Sequence, residues 1–297
     1  MRKLSIPYFL SCLLIITFLF SCVPQQKAVS HQKQLAIVDS QLLQYSRDLA
    51  ALDAKRKSKQ ELNEIDDTAS TRIKKFIGIA KDEIEKIVAQ NSILIGETAI
   101  EKSDWDRLKK ALTLSQKSLK LTADKVSFID DVIKRNAVVK LDQDVIFKPG
   151  QYRVSADVAS AIGSFFEPAA KEIDYFINKY PSFPLSLVIT AKGYADGTSI
   201  SETSQLYRDL KDRLKLQTES PTNKELNKEL STARAGEVIA LFKKFTTDRS
   251  AGGGNIKNIL YLFEGKGENF PNPKIMDYKP HDPRRRVVLL FWSVFPE

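Results

Sequence analysis

From residue 31 to residue 136 apolar side chains recur at alternating steps of three and four, and beyond 138 that rhythm stops. Such steps line residues up along one face of a helix, so the chain divides into a helical N-terminal part and a C-terminal part of another build. Leu35, Val38, Leu42, Tyr45, Leu49 and Leu52 carry the first run. Ile73, Ile77, Ala80, Ile84, Ile87, Asn91 and Leu94 carry the second, and Leu108, Leu112, Ser115, Leu119, Thr122, Val126, Ile129 and Ile133 the third. Lys, Glu, Asp and Gln fill most positions between. Asp66 to Ser70 breaks the first pair, and Gly96 with Ser103–Asp106 the second; Ser103 and Asp106 have the spacing of a capping box. Helices of about 20–30 residues, roughly 30–45 Å long, with short connections predict an antiparallel three-helix hairpin bundle. An oligomeric coiled coil is the alternative, and Ser115 and Thr122 at seam positions weaken the third run.

Past 138 the spacing predicts α+β structure. Val145–Phe147 reads as a strand, and Ala156–Tyr180 as a helix interrupted near Pro168. Leu185–Gly193 alternates like a half-buried strand. Ser231–Phe245 reads as a helix with Val238, Leu241, Phe242 and Phe245 inward, and Ile259–Phe263 and Val287–Val294 as strands. The order is β-α-β-α-β-β, a sandwich with helices on one side of a small sheet. Ala251–Gly254 is a turn, and with no GK[ST] after it a phosphate-binding loop is excluded.

The formal net charge of +9 is spread along the chain, as at Lys55–Lys59, Lys74–Lys75 and Arg284–Arg286, rather than gathered on one element as in a nucleic-acid binder. Diffuse positive charge suits a neighbour of anionic lipid or wall polymer. Both cysteines lie within the first 22 residues, so no disulfide framework or thiolate metal site is expected downstream. His31 and His281 are the only imidazoles, which leaves little for a zinc site or for Ser-His catalysis; no metal and no cofactor are expected.

Arg2 and Lys3 precede the apolar run Leu4–Phe20, and Leu19-Phe20-Ser21-Cys22 follows. This resembles a bacterial lipobox, with Phe20 larger than the usual residue. The resemblance implies a lipoprotein signal peptide over 1–21, lipidation at Cys22 and a polar tether over 22–30; an uncleaved anchor helix is the alternative. Val23 is not the Asp that holds enteric lipoproteins at the inner membrane, so a lipid-anchored, periplasm-facing place at the outer membrane is expected.

Four landmarks then follow in order. Gly193-Tyr194-Ala195-Asp196-Gly197 resembles the G-[HY]-T-D motif of the OmpA-like peptidoglycan-binding domain family, with Ala195 in place of Thr. Asn227 to Ala235, which contains Leu230, Ser231 and Arg234, resembles its N-x-x-L-S-x-x-R-A. Gly265–Pro271 resembles G-x-G-E-x-x-P, and Arg285-Arg286-Val287 the R-R-V that opens the last strand. The resemblance covers residues 138–297 and implies binding of the diaminopimelate-containing stem peptide of peptidoglycan, without catalysis. Asp196 would take the ammonium and Arg234 the carboxylate, with Asn227, Tyr194, Ala195 and Leu230 around them. Arg supplies a planar fork that Lys lacks. Read as residues alone, Asp196 capping a turn and Arg234 paired with it remain an alternative. The chain departs from the family by a charged insertion at about 199–222, expected to hold a short helix beside the pocket.

Other classes fit less well. Asp130–Asp131 point to different sides of a helix, and His281 has no nucleophile motif beside it, so an enzyme is not expected. A flagellar-stator subunit needs an acid in its membrane helix, and Leu4–Phe20 has none. A scaffold for an envelope complex, binding partner proteins or a second copy through the stalk and insertion, is compatible with wall binding.

Overall fold

The computed structural model describes residues 25–135, 138–148, 150–181, 183–215, 220–249 and 256–296. The lipobox with Cys22 and the Ala251–Gly254 turn lie outside them. Two compact units emerge, one from residues up to 51 together with 75–127, the other from 52–74 together with 128–297.

Three helices serve the first unit: α1 (Gln25–Glu61), α2 (Asp67–Gly96) and α3 (Lys102–Arg135). Residues 25–30, expected in the tether, are already helical. Leu35, Leu42, Leu49, Ile84 and Leu108 are sealed from solvent, so the heptad residues make the core. Asn91 and Ser115 are buried as well, and the Asn91 amide donates to Asp39 Oδ1 at 2.6 Å and to Ser115 Oγ at 2.9 Å. The seam residue that looked weakening is thus satisfied across three helices. The Gln32 amide donates to the carbonyls of Leu94 (2.8 Å) and Glu97 (2.9 Å), closing the end of α2.

The expected helix breaks shift. The first falls at 62–66 with Asn63 at φ 54°, and Asp67–Ser70 forms the opening turn of α2. Asp66 is its cap, accepting the N–H groups of Thr68 (3.0 Å) and Ala69 (3.2 Å). The second break precedes Lys102, and Asp104, not Asp106, reaches back to the Glu101 N–H at 3.4 Å.

In the second unit β1 (Val138–Asp142) precedes a helical turn, α4 (Gln143–Ile146), where a strand at 145–147 was expected. Next come α5 (Ala156–Ala161) and α6 (Gly163–Lys179). The break is at Ile162, and Pro168 sits inside α6. Then follow β2 (Leu185–Gly193), α7 (Gln205–Leu214), α8 (Asn223–Arg249), β3 (Ile256–Gly265) and β4 (Val287–Pro296). The sheet order is β1-β4-β2-β3, with β4 antiparallel to β1 and β2, and β3 parallel to β2. The fold is α+β with a mixed four-stranded sheet. α8 begins eight residues before the expected Ser231, behind a capping box in which Thr222 and Glu225 exchange hydrogen bonds of 2.8 and 3.3 Å.

Every residue of β2 is buried, not every second one. One face of the sheet packs on α6 and α8: Phe176 of α6 meets Trp292 of β4 edge-on at 6.1 Å, and the two helices meet each other through Phe166 and Phe242 at 5.0 Å. The other face carries Thr190 and Lys192, beside Leu289 and Phe291 of β4. The connection between α1 and α2 covers it. Lys192 Nζ lies 3.1 Å from Asp66 Oδ1 and 3.0 Å from Asp67 Oδ2, and Thr190 donates to Asp66 at 3.3 Å. Helices on one side and a domain starting at 138 are therefore corrected. A sheet apolar on both faces must bury both, and 52–74 with 128–135 belong to its unit. Asp130 and Asp131 serve there too: Asp130 pairs with Lys55 and Lys134, and Asp131 accepts from Lys179 and Tyr180.

Candidate functional site

The glycines of the motifs bring α8 onto the ends of two strands. A Cβ on Gly193 would stand 2.1 Å from the Ser231 carbonyl oxygen, and one on Gly265 2.2 Å from Thr232 Oγ1. Only glycine permits that approach. Ser231, sealed from solvent, accepts the Gly267 N–H at 3.0 Å and donates to the Lys228 carbonyl at 2.7 Å. With the helix pinned there, Asn227, Leu230 and Arg234 fall on one face at helical spacing.

Beyond β2 the chain is held by Ala195 N–H on the Gly267 carbonyl (2.7 Å) and Gly197 N–H on the Pro280 carbonyl (2.6 Å). This fixes Asp196 at the wall of a cavity of about 330 Å³, which Ala195, Asn227, Leu230 and Arg234 also line. Asp196 accepts the Thr198 hydroxyl at 2.8 Å and its N–H at 3.3 Å. Its ion-pair partner is Arg286, with Nε 3.5 Å away, rather than Arg234. Arg286 also reaches Asp144 at 3.2 Å. Asn227 ties the walls together, donating to Glu268 Oε1 (2.9 Å) and to the Thr198 carbonyl (3.3 Å).

The Arg234 guanidinium stacks over the Phe147 ring at 5.2 Å and donates twice to the Gln151 carbonyl, at 3.1 and 3.0 Å. Burial, with repulsion from Arg286, pushes its pKa down to about 10 against the pull of Asp144 and Asp196. A cation held in that state favours an incoming anion. Arg234 lies about three turns into α8, too far from the helix N-terminus for its backbone N–H groups to add anion affinity.

Tyr194 is corrected: its side chain packs with Val287, Leu289 and Phe291 in a buried cluster and does not line the cavity. Alternation along an extended chain turns it away from Ala195 and toward the opposite face. The insertion forms a wall. α7 seats Tyr207 and Leu210 on Leu226 and Leu230, while Ser199–Ser201, Ser204 and Leu206 face the cavity. Sequence reasoning assigned no role to Asp144, Phe147, Thr198 or Arg286. The one signal for Arg286 was its place in the Arg285-Arg286-Val287 motif. Arg285 closes the 3₁₀ turn Pro283–Arg285 and is buried, donating to the Pro280 carbonyl at 3.0 Å and to the Glu268 carbonyl, which leaves Arg286 to reach the cavity.

A larger concavity of about 410 Å³ between α5, α6 and α8 is lined by apolar side chains, Ser160 and one cation, Lys244. It lacks the paired charges of the first. Among the described residues no group of three or more His, Cys, Asp or Glu is placed to hold a metal ion. No helix of the described residues is long and apolar enough to cross a membrane. Compared with protein-family models and with curated proteins, the chain finds no match.

Proposed function

We propose that this is a non-catalytic peptidoglycan-binding lipoprotein of the outer membrane, anchored through Cys22 and holding the diaminopimelate side chain in an OmpA-like domain. One observation carries the reading: two carboxylates, Asp144 and Asp196, and two guanidiniums, Arg234 and Arg286, line one cavity. Their formal charges cancel, so a zwitterion enters without leaving an unpaired charge behind. The ligand ammonium takes Asp196, and its carboxylate takes Arg234. There a charged acceptor replaces the neutral Gln151 carbonyl, and charge-assisted bonds are roughly twice as strong as neutral ones.

Sedimentation with purified sacculi tests the reading. Asp196→Ala and Arg234→Ala should each weaken binding by about ten- to a hundredfold, the loss of one charge-assisted contact of about 1.5–3 kcal/mol. The far-ultraviolet circular dichroism should stay as in the wild type. Unchanged sedimentation by both variants refutes the assignment. Mass spectrometry of the mature N-terminus tests the anchor, and an unmodified Cys22 with Met1 attached removes it.

A further inference from the structure

β3 is the outermost strand on its side of the sheet among the described residues. Such edges are normally blunted by charge, proline or a bulge, because their free backbone groups template further pairing. Here the centre of the strand reads Ile259-Leu260-Tyr261-Leu262-Phe263, with Ile259 46%, Leu260 39% and Phe263 52% exposed. Apolar groups are presented on both faces: Tyr261 meets Thr246 of α8 and Phe263 lies against Gly236, while Leu260 and Leu262 point to the opposite face.

We propose that this edge is a self-association surface, on which β3 of a second copy pairs antiparallel about a two-fold axis. Such an axis stands perpendicular to the continued sheet and keeps each face on its own side. Opposed residues must then share a face, and a residue must sit on the axis itself. With Tyr261 on the axis, Ile259 opposes Phe263 of the second copy and Leu260 opposes its Leu262. Asn258 opposes Glu264, an amide against a carboxylate, and Lys257 falls opposite Gly265, so no like charges meet. Moving the axis to Leu260 sets Lys257 against Phe263 and Asn258 against Leu262. Moving it to Leu262 sets Glu264 against Leu260. The pattern is thus complementary to itself in one register, which argues for a second copy rather than an unrelated strand. The pairing is independent of wall binding, since the cavity contains no β3 residue.

Thiol cross-linking on the full chain, with Cys12 and Cys22 changed to Ser, tests this. Under mild oxidation Tyr261→Cys should cross-link to a dimer. Asn258→Cys and Glu264→Cys should stay monomeric singly and cross-link when mixed. Separately, light scattering should give twice the chain mass, and Leu260→Lys should move the monomer–dimer midpoint at least about tenfold higher in concentration. A wild-type chain that stays monomeric at its highest soluble concentration overturns the proposal. So does equal cross-linking at all three positions, the mark of random collision. If Leu260→Lys unfolds by circular dichroism, the cysteine pattern decides alone.

Discussion

Lys192 and Asp196 stand four residues apart on one run of chain, yet their ion pairs live differently. Lys192 and its partner Asp66 have side chains only 5% and 3% exposed. Burial alone pulls the Lys192 ammonium down, and Asp66 and Asp67 more than offset it, so its pKa is raised. Asp196 is as buried, at 8%, but its partner Arg286 is 36% exposed at a cavity wall and shared with Asp144. A pair sealed among apolar side chains holds structure together. A pair whose cation is itself part-exposed at the wall of an open cavity can exchange its partner for a ligand.

The largest effect is expected at the sealed pair. Lys192→Met leaves Asp66 buried without its cation, and should cost about 3–5 kcal/mol in denaturant unfolding. Adding Asp66→Asn should recover most of it. A raised ammonium pKa contributes stability below its ordinary 10.5 that is lost as pH climbs through the raised value. The wild type should therefore weaken above about pH 10.5, and the double variant should lack that limb. If Lys192→Met unfolds like the wild type, the distinction between the two pairs fails.

Next in size is Gly265→Ala, which forces α8 away from the strand ends. It should cost about 1–3 kcal/mol and weaken sacculus binding with it, because Asn227 and Arg234 ride on that helix. At the open pair Asp196→Asn should lower stability by less than about 1 kcal/mol, since an Asn oxygen still accepts from Thr198 and Arg286 keeps Asp144. Its sacculus binding should still fall about tenfold or more. A large stability loss there would make the open pair structural too.

Asp39, in the helical unit, sharpens the contrast as a buried carboxylate with neutral partners. Burial pushes its pKa up, and the Asn91 amide only partly offsets this. An acid so shifted favours folding when protonated, and that contribution fades as pH rises from its ordinary 3.8 through the raised value. Asp39→Asn should therefore raise the thermal midpoint slightly at pH 7 and not at pH 3, the smallest effect of the series.

The helical core was legible residue by residue, from Leu35 to Leu108, because heptad partners lie within four residues of each other. Asp196, Asn227, Leu230 and Arg234, named from the motifs, do meet at one cavity, while the close approach of α8 to Gly193 and Gly265 shows only in the structure. Tyr194 was misjudged because a motif names neighbours in sequence, while an extended chain turns alternate residues to opposite faces. The start of α8 was missed although Thr222 and Glu225 spell out a capping box.

The three long helices, the strands β2, β3 and β4 and the meeting of Asp196, Asn227 and Arg234 were readable from spacing and motif order, whereas β1, the turn at 143–146 and the cavity charges Asp144 and Arg286 were not. That the connection between α1 and α2 seals the second face of the sheet, and that Arg286 rather than Arg234 pairs with Asp196, follows from the assembled fold alone. Asp66 and Lys192 are 126 residues apart and carry no local signature of each other. Their pairing comes from the demand that a sheet with large apolar side chains on both faces be covered twice. The polar Thr190 and Lys192 on the second face then need partners from the covering segment, which is a property of the assembled layers rather than of any one segment.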